Sequence, residues 1–353
     1  MKIIGAILFL MLLILPAELR AQTPQPDKQV RKGEKTLVSV PVTVSDREGR
    51  YISGLKKEDF NLFEDGVKQN VAFFATEDEP ISIALVLDTS GSTKDVLDKI
   101  KRAAGDFIEL LNPDDKCQIV TFDSQVRILN SFTSDKQMLA QSLDKARSAT
   151  EDGTVLFRAV EQVARQSFTD IQGRKVIVLL SDGKDFGSSL TKDELLSQLE
   201  ELDVMIYTVF YQTGAGSAKP AAAPNGIIRE EKETPKISEK KTPKKKKGYT
   251  IFIPVPGDLY TEKDVKLTEK ASGAEAINSL KQMSEMTAGR FYLSETPDLG
   301  EIFKKIGGEL RQQYRLGYYT KDASGDGVRE IVVKVGRTDA VVRARGKFRS
   351  KAL

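Results

Sequence analysis

The sequence predicts an α/β fold: a doubly wound, mostly parallel sheet of the Rossmann-like type, inserted in a small β-sandwich formed by the N- and C-terminal segments. Three observations support this prediction. Residues 79–312 alternate short apolar runs with segments of helical periodicity, the pattern of a sheet with helices on both faces. Residues 36–78 and 313–349 contain strand-like patterns instead. Each end segment is too small to bury much surface alone, so we expect the two to share one core.

The first segment is predicted to be all-β. Residues 37–44 alternate with a period of two, which is typical of a half-buried strand. Pro41 lacks an N–H donor, so this strand should lie at an edge or be paired on only one side at that point. Residues 60–63 and 67–71 form a predicted hairpin closed at Asp65-Gly66, and the next residues up to Phe74 should continue it.

The last segment carries three further predicted strands, at residues 314–319, 329–335 and 340–345, with a turn at 322–327. The alternative to a shared sandwich is a pair of independent sheet extensions on either side of the α/β part.

The middle segment supplies the α/β elements. Ser134 with Gln137, and Thr191 with Glu194, have the spacing of capping boxes at helix starts. The predicted strands are 81–87, 117–122, 126–130, 175–181, 204–211 and 290–293, and the predicted helices are 93–111, 135–148, 154–168, 192–202, 274–287 and 297–312.

Composition excludes several kinds of catalytic site. The 353 residues include no histidine and one cysteine, so no His-based triad, His-ligated zinc or Cys–His dyad can be built. A single cysteine also excludes a disulfide within the chain. Cys117 lies in a predicted strand and should be a small buried apolar residue rather than a reactive thiol.

Residues 1–21 have the features of a signal peptide. Lys2 precedes a short apolar run over residues 3–15, and Ala21 offers a small residue for cleavage. Arg20 fits the cleavage pattern poorly, so an uncleaved anchor is the alternative. We expect no transmembrane helix after cleavage and a secreted or periplasmic, cell-envelope location. The lack of disulfides favours a bacterial envelope, and residues 22–35 should form a flexible lead-in.

Residues 214–257 interrupt the α/β pattern. They are rich in Ala, Pro and Gly and then in Lys, with ten basic and four acidic residues. We predict a disordered surface insertion. Its basic run from Lys240 to Lys247 could contact an anionic surface such as envelope polymers or lipid headgroups. A solvated loop without a role is the alternative, and the absence of a recognition fold gives no reason to expect specific nucleic-acid binding.

The strongest functional signal follows the first strand of the middle segment. The apolar run 81–87 ends in Asp88, and Ser90 and Ser92 follow at alternate positions on a strand-to-helix turn. Such turns lie at the carboxyl edge of a parallel sheet, where ligands bind. One carboxylate and two hydroxyls offer hard oxygen donors with little negative charge, which suits Mg²⁺.

Asp88, Ser90 and Ser92 make up an Asp-x-Ser-x-Ser motif that resembles the metal-ion-dependent adhesion site of von Willebrand factor A domains. The family also places a Thr in a loop before a helix and an Asp at the end of the fourth buried strand. Thr154 and Asp182 occupy those positions here. The strand-rich lead with its Glu-Asp-Gly turn and the Tyr-Tyr tail resemble secreted bacterial proteins related to this family.

The resemblance implies a non-enzymatic, divalent-metal-dependent binding module of adhesion type. In the family the hydroxyls bind the metal directly, the Thr does so mainly in the ligand-bound state, and the acids act largely through water. The implied metal is Mg²⁺, with Mn²⁺ or Ca²⁺ as alternatives. The implied partner is a protein or another extracellular or envelope ligand whose Asp or Glu carboxylate completes the metal's shell.

Other interpretations stay open at this stage. Ser and Asp at a helix start also cap free N–H groups without any metal. A metal-assisted hydrolase would need a general base or a second metal, and a structural scaffold with an electrostatic basic arm is a further alternative. Asp123, Asp152 and Asp185 lie in neighbouring loops, and we expect them to be solvated or to act on a metal only through other groups.

Overall fold

The computed structural model describes residues 36–76, 79–149, 153–212, 273–294, 299–320 and 327–349. The predicted signal peptide, lead-in and Lys-rich insertion lie outside the described residues, as does most of the predicted turn at 322–327. Within the described ranges, every helix is too short or too polar to cross a membrane.

The helices and strands alternate along the middle of the chain much as the sequence predicts. The strands are β1 Leu37–Ser45, β2 Phe60–Glu64, β3 Val67–Gln69, β4 Phe73–Ala75, β5 Ile81–Asp88, β6 Lys116–Phe122, β7 Val126–Ile128, β8 Arg174–Ser181, β9 Met205–Tyr211, β10 Phe291–Ser294, β11 Gln313–Tyr319, β12 Val328–Val335, β13 Val341–Ala344 and β14 Lys347–Arg349. The helices are α1 Leu97–Glu109, α2 Lys136–Asp144, α3 Leu156–Gln162, α4 Lys192–Leu199, α5 Ala274–Met286 and α6 Gly300–Leu310.

The α/β part is a single sheet in the order β10-β9-β8-β5-β6-β7. All neighbours are parallel except β6 and β7, which are antiparallel. Strand β5 is buried along its whole length, which explains why its sequence is continuously apolar rather than alternating. One face of the sheet packs on α1, α2 and α6, and the other packs on α3, α4 and α5. The doubly wound prediction is therefore confirmed.

The two ends of the chain form a β-sandwich with one core. One sheet has the order β13-β1-β11-β4 and the other has the order β14-β12-β2-β3, so each sheet combines strands from both ends. The alternating valines of β1 pack with Leu62, Leu316 and Val333 from the other strands. The alternative of two independent extensions is wrong, because neither segment has a core without the other. The predicted domain boundaries after residues 78 and 312 stay predictions.

Strand β1 shows how proline limits strand pairing. It lies between β13 and β11 and is therefore not an edge strand. Pro41 faces Arg315 of β11, whereas β13 pairs only with Val42 to Ser45. The strand is thus paired on one side at the proline, which is the second of the two predicted arrangements.

The hairpin of β2 and β3 is closed at Asp65 and Gly66, as predicted, and both residues have positive φ, at 48° and 77°. The expectation that the hairpin continues to residue 74 is wrong. Strand β4 instead crosses to the other sheet and pairs with β11, where Phe74 joins the sandwich core.

Several helix boundaries differ from the prediction. Helix α1 begins at Leu97, after a 3₁₀ turn at Gly91–Thr93, rather than at residue 93. Helix α2 is capped by Asp135, whose side chain accepts from the Met138 N–H, and not by Ser134. The predicted capping box at Thr191 is confirmed. Helix α3 continues as a π-helical turn over Val163–Ser167, and the short strand β14 was not predicted.

A buried carboxylate joins the α/β sheet to the sandwich. Glu309 on α6 is fully buried and accepts hydrogen bonds from the hydroxyls of Tyr207 on β9, at 2.9 Å, and Tyr51, at 2.7 Å. It also forms ion pairs with Arg290, at 3.0 Å, and with Arg343 on β13. Three parts of the chain that are far apart in sequence therefore meet at one side chain.

Candidate metal centre

The candidate site lies where two neighbouring central strands end. Strands β5 and β8 are parallel and in register, with Leu87 opposite Leu180. Asp88 ends β5, and Ser181 ends β8 directly before Asp182. Because parallel strands end at the same edge of the sheet, the two acids predicted from distant motifs come together at the carboxyl edge.

Asp88 is fully buried and both of its carboxylate oxygens are hydrogen-bonded. Its Oδ1 accepts from the Ser90 N–H at 3.0 Å and from the Ser90 hydroxyl at 2.6 Å. Its Oδ2 accepts from the Ser181 hydroxyl at 2.8 Å. Burial raises the pKa of Asp88 to about 6, and the nearby charge of Asp182 adds to this increase. Asp88 therefore orients hydroxyl groups instead of presenting a free oxygen.

A continuous row of oxygen atoms runs outward from Asp88. The hydroxyl oxygens of Ser90 and Ser92 are 3.1 Å apart, and Ser92 Oγ lies 3.0 Å from Asp182 Oδ2. Neither serine hydroxyl caps the following turn or helix. The ordinary capping interpretation thus does not account for these two side chains. The motif positions at 88, 90, 92 and 182 are joined by hydrogen bonds into one cluster.

The spacing of these oxygens fits a small hard cation. Mg²⁺ binds oxygen octahedrally at about 2.0–2.1 Å, so two neighbouring oxygens of its shell are about 2.9 Å apart. The measured separations of 3.1 and 3.0 Å along Ser90, Ser92 and Asp182 are close to this value. Within the described residues, no group of three or more acidic, Cys or His side chains is placed to hold a metal. The row of candidate donors combines two hydroxyl oxygens with one carboxylate oxygen, that of Asp182.

Lys184 is a part of the cluster that the sequence did not suggest. Its ammonium lies 2.8 Å from Asp182 Oδ2, the same oxygen that accepts from Ser92. The turn that brings it there passes through Gly183, with φ 75°, and the Gly183 N–H donates to Ser181 Oγ at 2.9 Å. A cation would have to share Asp182 with this lysine.

Thr154 is close in the fold but is not bonded to the cluster. It is buried just before α3, and its carbonyl accepts from the Phe186 N–H in the loop that follows Asp182. The next residue, Val155, donates its N–H to the carbonyl of Asp123. Among the described contacts, no hydrogen bond joins the Thr154 side chain to Asp88, Ser90, Ser92 or Asp182. The role of all five residues as metal ligands stays a prediction.

The three neighbouring acids have different surroundings. Asp123 is buried and paired with Arg127, so the first of its two expected arrangements, a solvated side chain, is wrong. The second, an action on a metal through other groups, stays a prediction. Asp185 accepts from the Phe157 N–H at 3.0 Å and so holds the start of α3. Asp152 lies outside the described residues.

Two polar groups of the site besides Lys184 were also not predicted from the sequence. Ser181 directly precedes Asp182 at the end of a strand. This position is the sequence feature from which its place in the site could have been predicted. Tyr211, at the end of β9, is buried, and within the described residues its hydroxyl has no hydrogen-bond partner. Burial raises the pKa of Tyr211 well above its ordinary value, and the charges of Asp88 and Asp182 raise it further. The hydroxyl therefore stays protonated and able to donate.

Fold and site together define an open, Rossmann-like α/β domain with a hydroxyl- and acid-lined ligand site at the carboxyl edge of its sheet. The family model described as "von Willebrand factor type A domain" matches residues 82–236. The resemblance drawn from the motifs is therefore confirmed for residues 82–236, which are similar to this family.

Solved structures that match this chain include a mussel protein and two Bacteroides proteins. Proximal thread matrix protein 1 from the mussel byssus is 15% identical, with a TM-score of 0.44, and the match covers 71% of this chain and 51% of that protein. This chain thus spans about half the length of the mussel protein. The mussel protein has also been solved with zinc in its metal-ion-dependent adhesion site (MIDAS) motif.

Two Bacteroides structures match over nearly their whole length. An aerotolerance-related membrane protein from Bacteroides fragilis is 16% identical, with a TM-score of 0.39, over 66% of this chain and 99% of that one. The conserved hypothetical protein BatB from Bacteroides thetaiotaomicron is 18% identical, with a TM-score of 0.40, over 65% and 97%. A search of curated proteins found no match.

Proposed function

We propose that the protein is a non-enzymatic binding module of an exported bacterial protein, and that it binds its partner through a divalent cation, preferably Mg²⁺. The observation that carries this proposal is the row of oxygens from Ser90 through Ser92 to Asp182, spaced like neighbouring ligands of one small cation. Thr154 is the further proposed ligand, and Asp88 is proposed to orient Ser90 and to act through water.

The chemistry of the donor set suggests how a partner would bind. Hydroxyl oxygens neutralise little of a cation's charge, so the bound ion would stay electron-poor and attract an Asp or Glu carboxylate of a protein or envelope ligand. Such a contact at the centre of an interface contributes strongly to affinity. The buried Tyr211 hydroxyl offers a donor for a water or ligand oxygen near the same carboxylates.

The export part of the proposal is supported by the N-terminal sequence and by the use of cysteine. The single cysteine, Cys117, is buried, and burial raises the pKa of its thiol to about 12, so it is unreactive at neutral pH. We expect the protein in the periplasm, the cell envelope or the medium. Fractionation of cells, with the N-terminus of the mature chain determined, tests this location.

The test of the metal site is calorimetric titration of Mg²⁺ into the full chain and its variants. Ser92→Ala removes the exposed hydroxyl that links Ser90 to Asp182, and we expect it to weaken Mg²⁺ binding at least about tenfold. The matched control is Ser134→Ala, which removes an exposed serine hydroxyl just before α2 and should leave Mg²⁺ affinity unchanged. Equal Mg²⁺ binding by both variants contradicts the proposed site.

A further variant, Asp182→Asn, separates binding from catalysis. If the protein is a metal-assisted hydrolase instead, it should turn over a phosphomonoester such as p-nitrophenyl phosphate in Mg²⁺, and Asp182→Asn should abolish that turnover. We expect no Asp182-dependent turnover, because both oxygens of the second acid, Asp88, already accept hydrogen bonds and no free carboxylate is left there as a base.

A further inference from the structure

A polar pocket lies beside the candidate metal centre, on the side of β6 and β7. Its volume is about 240 Å³. Its charged lining consists of Arg127, Lys145, Arg147 and Asp123. Arg127 pairs with the buried carboxylate of Asp123, so that acid is already neutralised by a cation of its own. The remaining charge of the pocket wall is positive.

The other two cations of the pocket, Lys145 and Arg147, differ from Arg127 in their described partners. Within the described part of the chain, neither Lys145 nor Arg147 forms an ion pair with a carboxylate. Arg147 donates instead to main-chain carbonyls of Asp144 and Ala146, which holds its guanidinium near the end of α2. In addition, the hydroxyl of Ser148, which also lines the pocket, is buried and has no hydrogen-bond partner among the described residues. Cations together with an unsatisfied hydroxyl are the groups that bind an oxyanion.

The pocket is coupled directly to the metal-site turn. Ala149, which lines the pocket, donates its N–H to the carbonyl of Thr89 at 2.7 Å, and Thr89 stands between Asp88 and Ser90. Asp123, which also lines the pocket, accepts through its carbonyl from the N–H of Val155, the residue after Thr154. Two lining residues are thus hydrogen-bonded to the loops that carry Ser90 and Thr154.

We infer that this pocket binds a second carboxylate of an acidic polypeptide partner, beside the carboxylate that the proposed function assigns to the metal. This inference rests on the proposed function for the position of the partner and on the pocket itself for its chemistry. A partner segment with two acidic side chains would place one at the cation and the other near Lys145, Arg147 and Ser148. Specificity for acidic segments would then come from the protein as well as from the ion.

The experiment measures binding of a fluorescein-labelled decamer of glutamate to the full chain by anisotropy, in Mg²⁺ and in EDTA. The pocket variant is Lys145→Gln with Arg147→Gln. Its charge-matched control is Arg102→Gln with Lys305→Gln, which removes two exposed cations from α1 and α6. We expect the pocket variant to bind the peptide about fivefold more weakly or worse, since two partly exposed charge contacts are lost. The control should change affinity less than twofold.

Two further measurements test whether the pocket substitutions disturb the metal site or the fold. Mg²⁺ affinity of the pocket variant should equal that of the unaltered protein, because neither substituted side chain belongs to the oxygen cluster. Lys145→Gln alone, which removes a side chain without hydrogen bonds among the described contacts, should reproduce part of the loss without any change in folding.

The results distinguish the two proposals. If the pocket variant and its charge-matched control bind the peptide equally well, the pocket inference is overturned while Mg²⁺-dependent binding stands. If the peptide binds equally in Mg²⁺ and EDTA but is lost in the pocket variant, the proposed metal-dependent function fails and the pocket alone recognises the acidic segment.

Discussion

The buried carboxylate of Glu309 is expected to hold the α/β part and the sandwich together. It lies on α6 and contacts Tyr207 of β9, Arg343 of β13 and Tyr51 of the first segment. Replacing it with Gln keeps the shape but removes the charge that the two arginines share. Uncompensated charge in a buried site is costly, because the arginines lose their partner without regaining water.

The expected cost of Glu309→Gln is about 4 kcal/mol, in the range found when one member of a buried ion pair is removed. For a chain of this size that corresponds to a fall in the unfolding midpoint of about 5–8 °C. The matched control is Glu301→Gln on the same helix, whose partner Lys304 is exposed, and its cost should be at most about 0.5 kcal/mol.

Thermal and urea unfolding in EDTA, followed by circular dichroism, measure both variants. Tyr51→Phe removes one hydrogen bond to the carboxylate and should cost about 1.5–3 kcal/mol, because the acceptor is charged. In a double-mutant cycle with Glu309→Gln the two losses should be clearly less than additive. A cost for Glu309→Gln similar to that of Glu301→Gln would refute the role of this carboxylate as a link between the two parts.

Three further predictions concern the metal site and a helix cap. Because burial raises the pKa of Asp88 from 3.8 to about 6, the folded, metal-free protein keeps a proton over that range that the unfolded chain has lost. Its stability in EDTA relative to Asp88→Asn should therefore fall by about 2 kcal/mol as the pH rises from 4 to 7, and a difference that does not vary with pH would contradict this. Lys184→Met removes a cation that shares Asp182 Oδ2, so Mg²⁺ affinity measured by calorimetry should rise about two- to fivefold; weaker Mg²⁺ binding would show that Lys184 supports the site. Asp135→Ala should lower the free energy of unfolding, measured by urea titration, by about 1 kcal/mol. Ser134→Ala should leave this free energy unchanged. A larger loss for Ser134→Ala than for Asp135→Ala would show that Ser134 is the cap.

Much of this protein follows from local sequence patterns. The continuous apolar run before Asp88 predicts a fully buried central strand, and its abrupt end in Asp-x-Ser-x-Ser places oxygen donors at the edge of the sheet. A period of two predicts β1, and Asp65-Gly66 predicts the hairpin. These features depend on residues that are close together in the chain, so the physical rules that link spacing to strand, helix or turn are enough to predict them.

Other features depend on which distant segments meet. Pro41 is compatible with an edge strand or a strand paired on one side, and only the position of β13 decides between them. Both Ser134 and Asp135 can cap α2, and the path of the chain before the helix selects Asp135. In each case the local sequence allows two outcomes, and long-range packing determines which one forms.

The polar networks show most clearly which features are local and which depend on the tertiary structure. The sequence by itself determined the fold class and predicted the oxygen donors of the 88–92 turn and Asp182. The tertiary structure alone decided that Lys184 shares Asp182, that Lys145 and Arg147 line a pocket beside the site, and that Glu309 collects partners from three distant segments. The physical reason is that charges and hydrogen bonds act through space over a few ångströms, whereas sequence patterns record only neighbours along the chain.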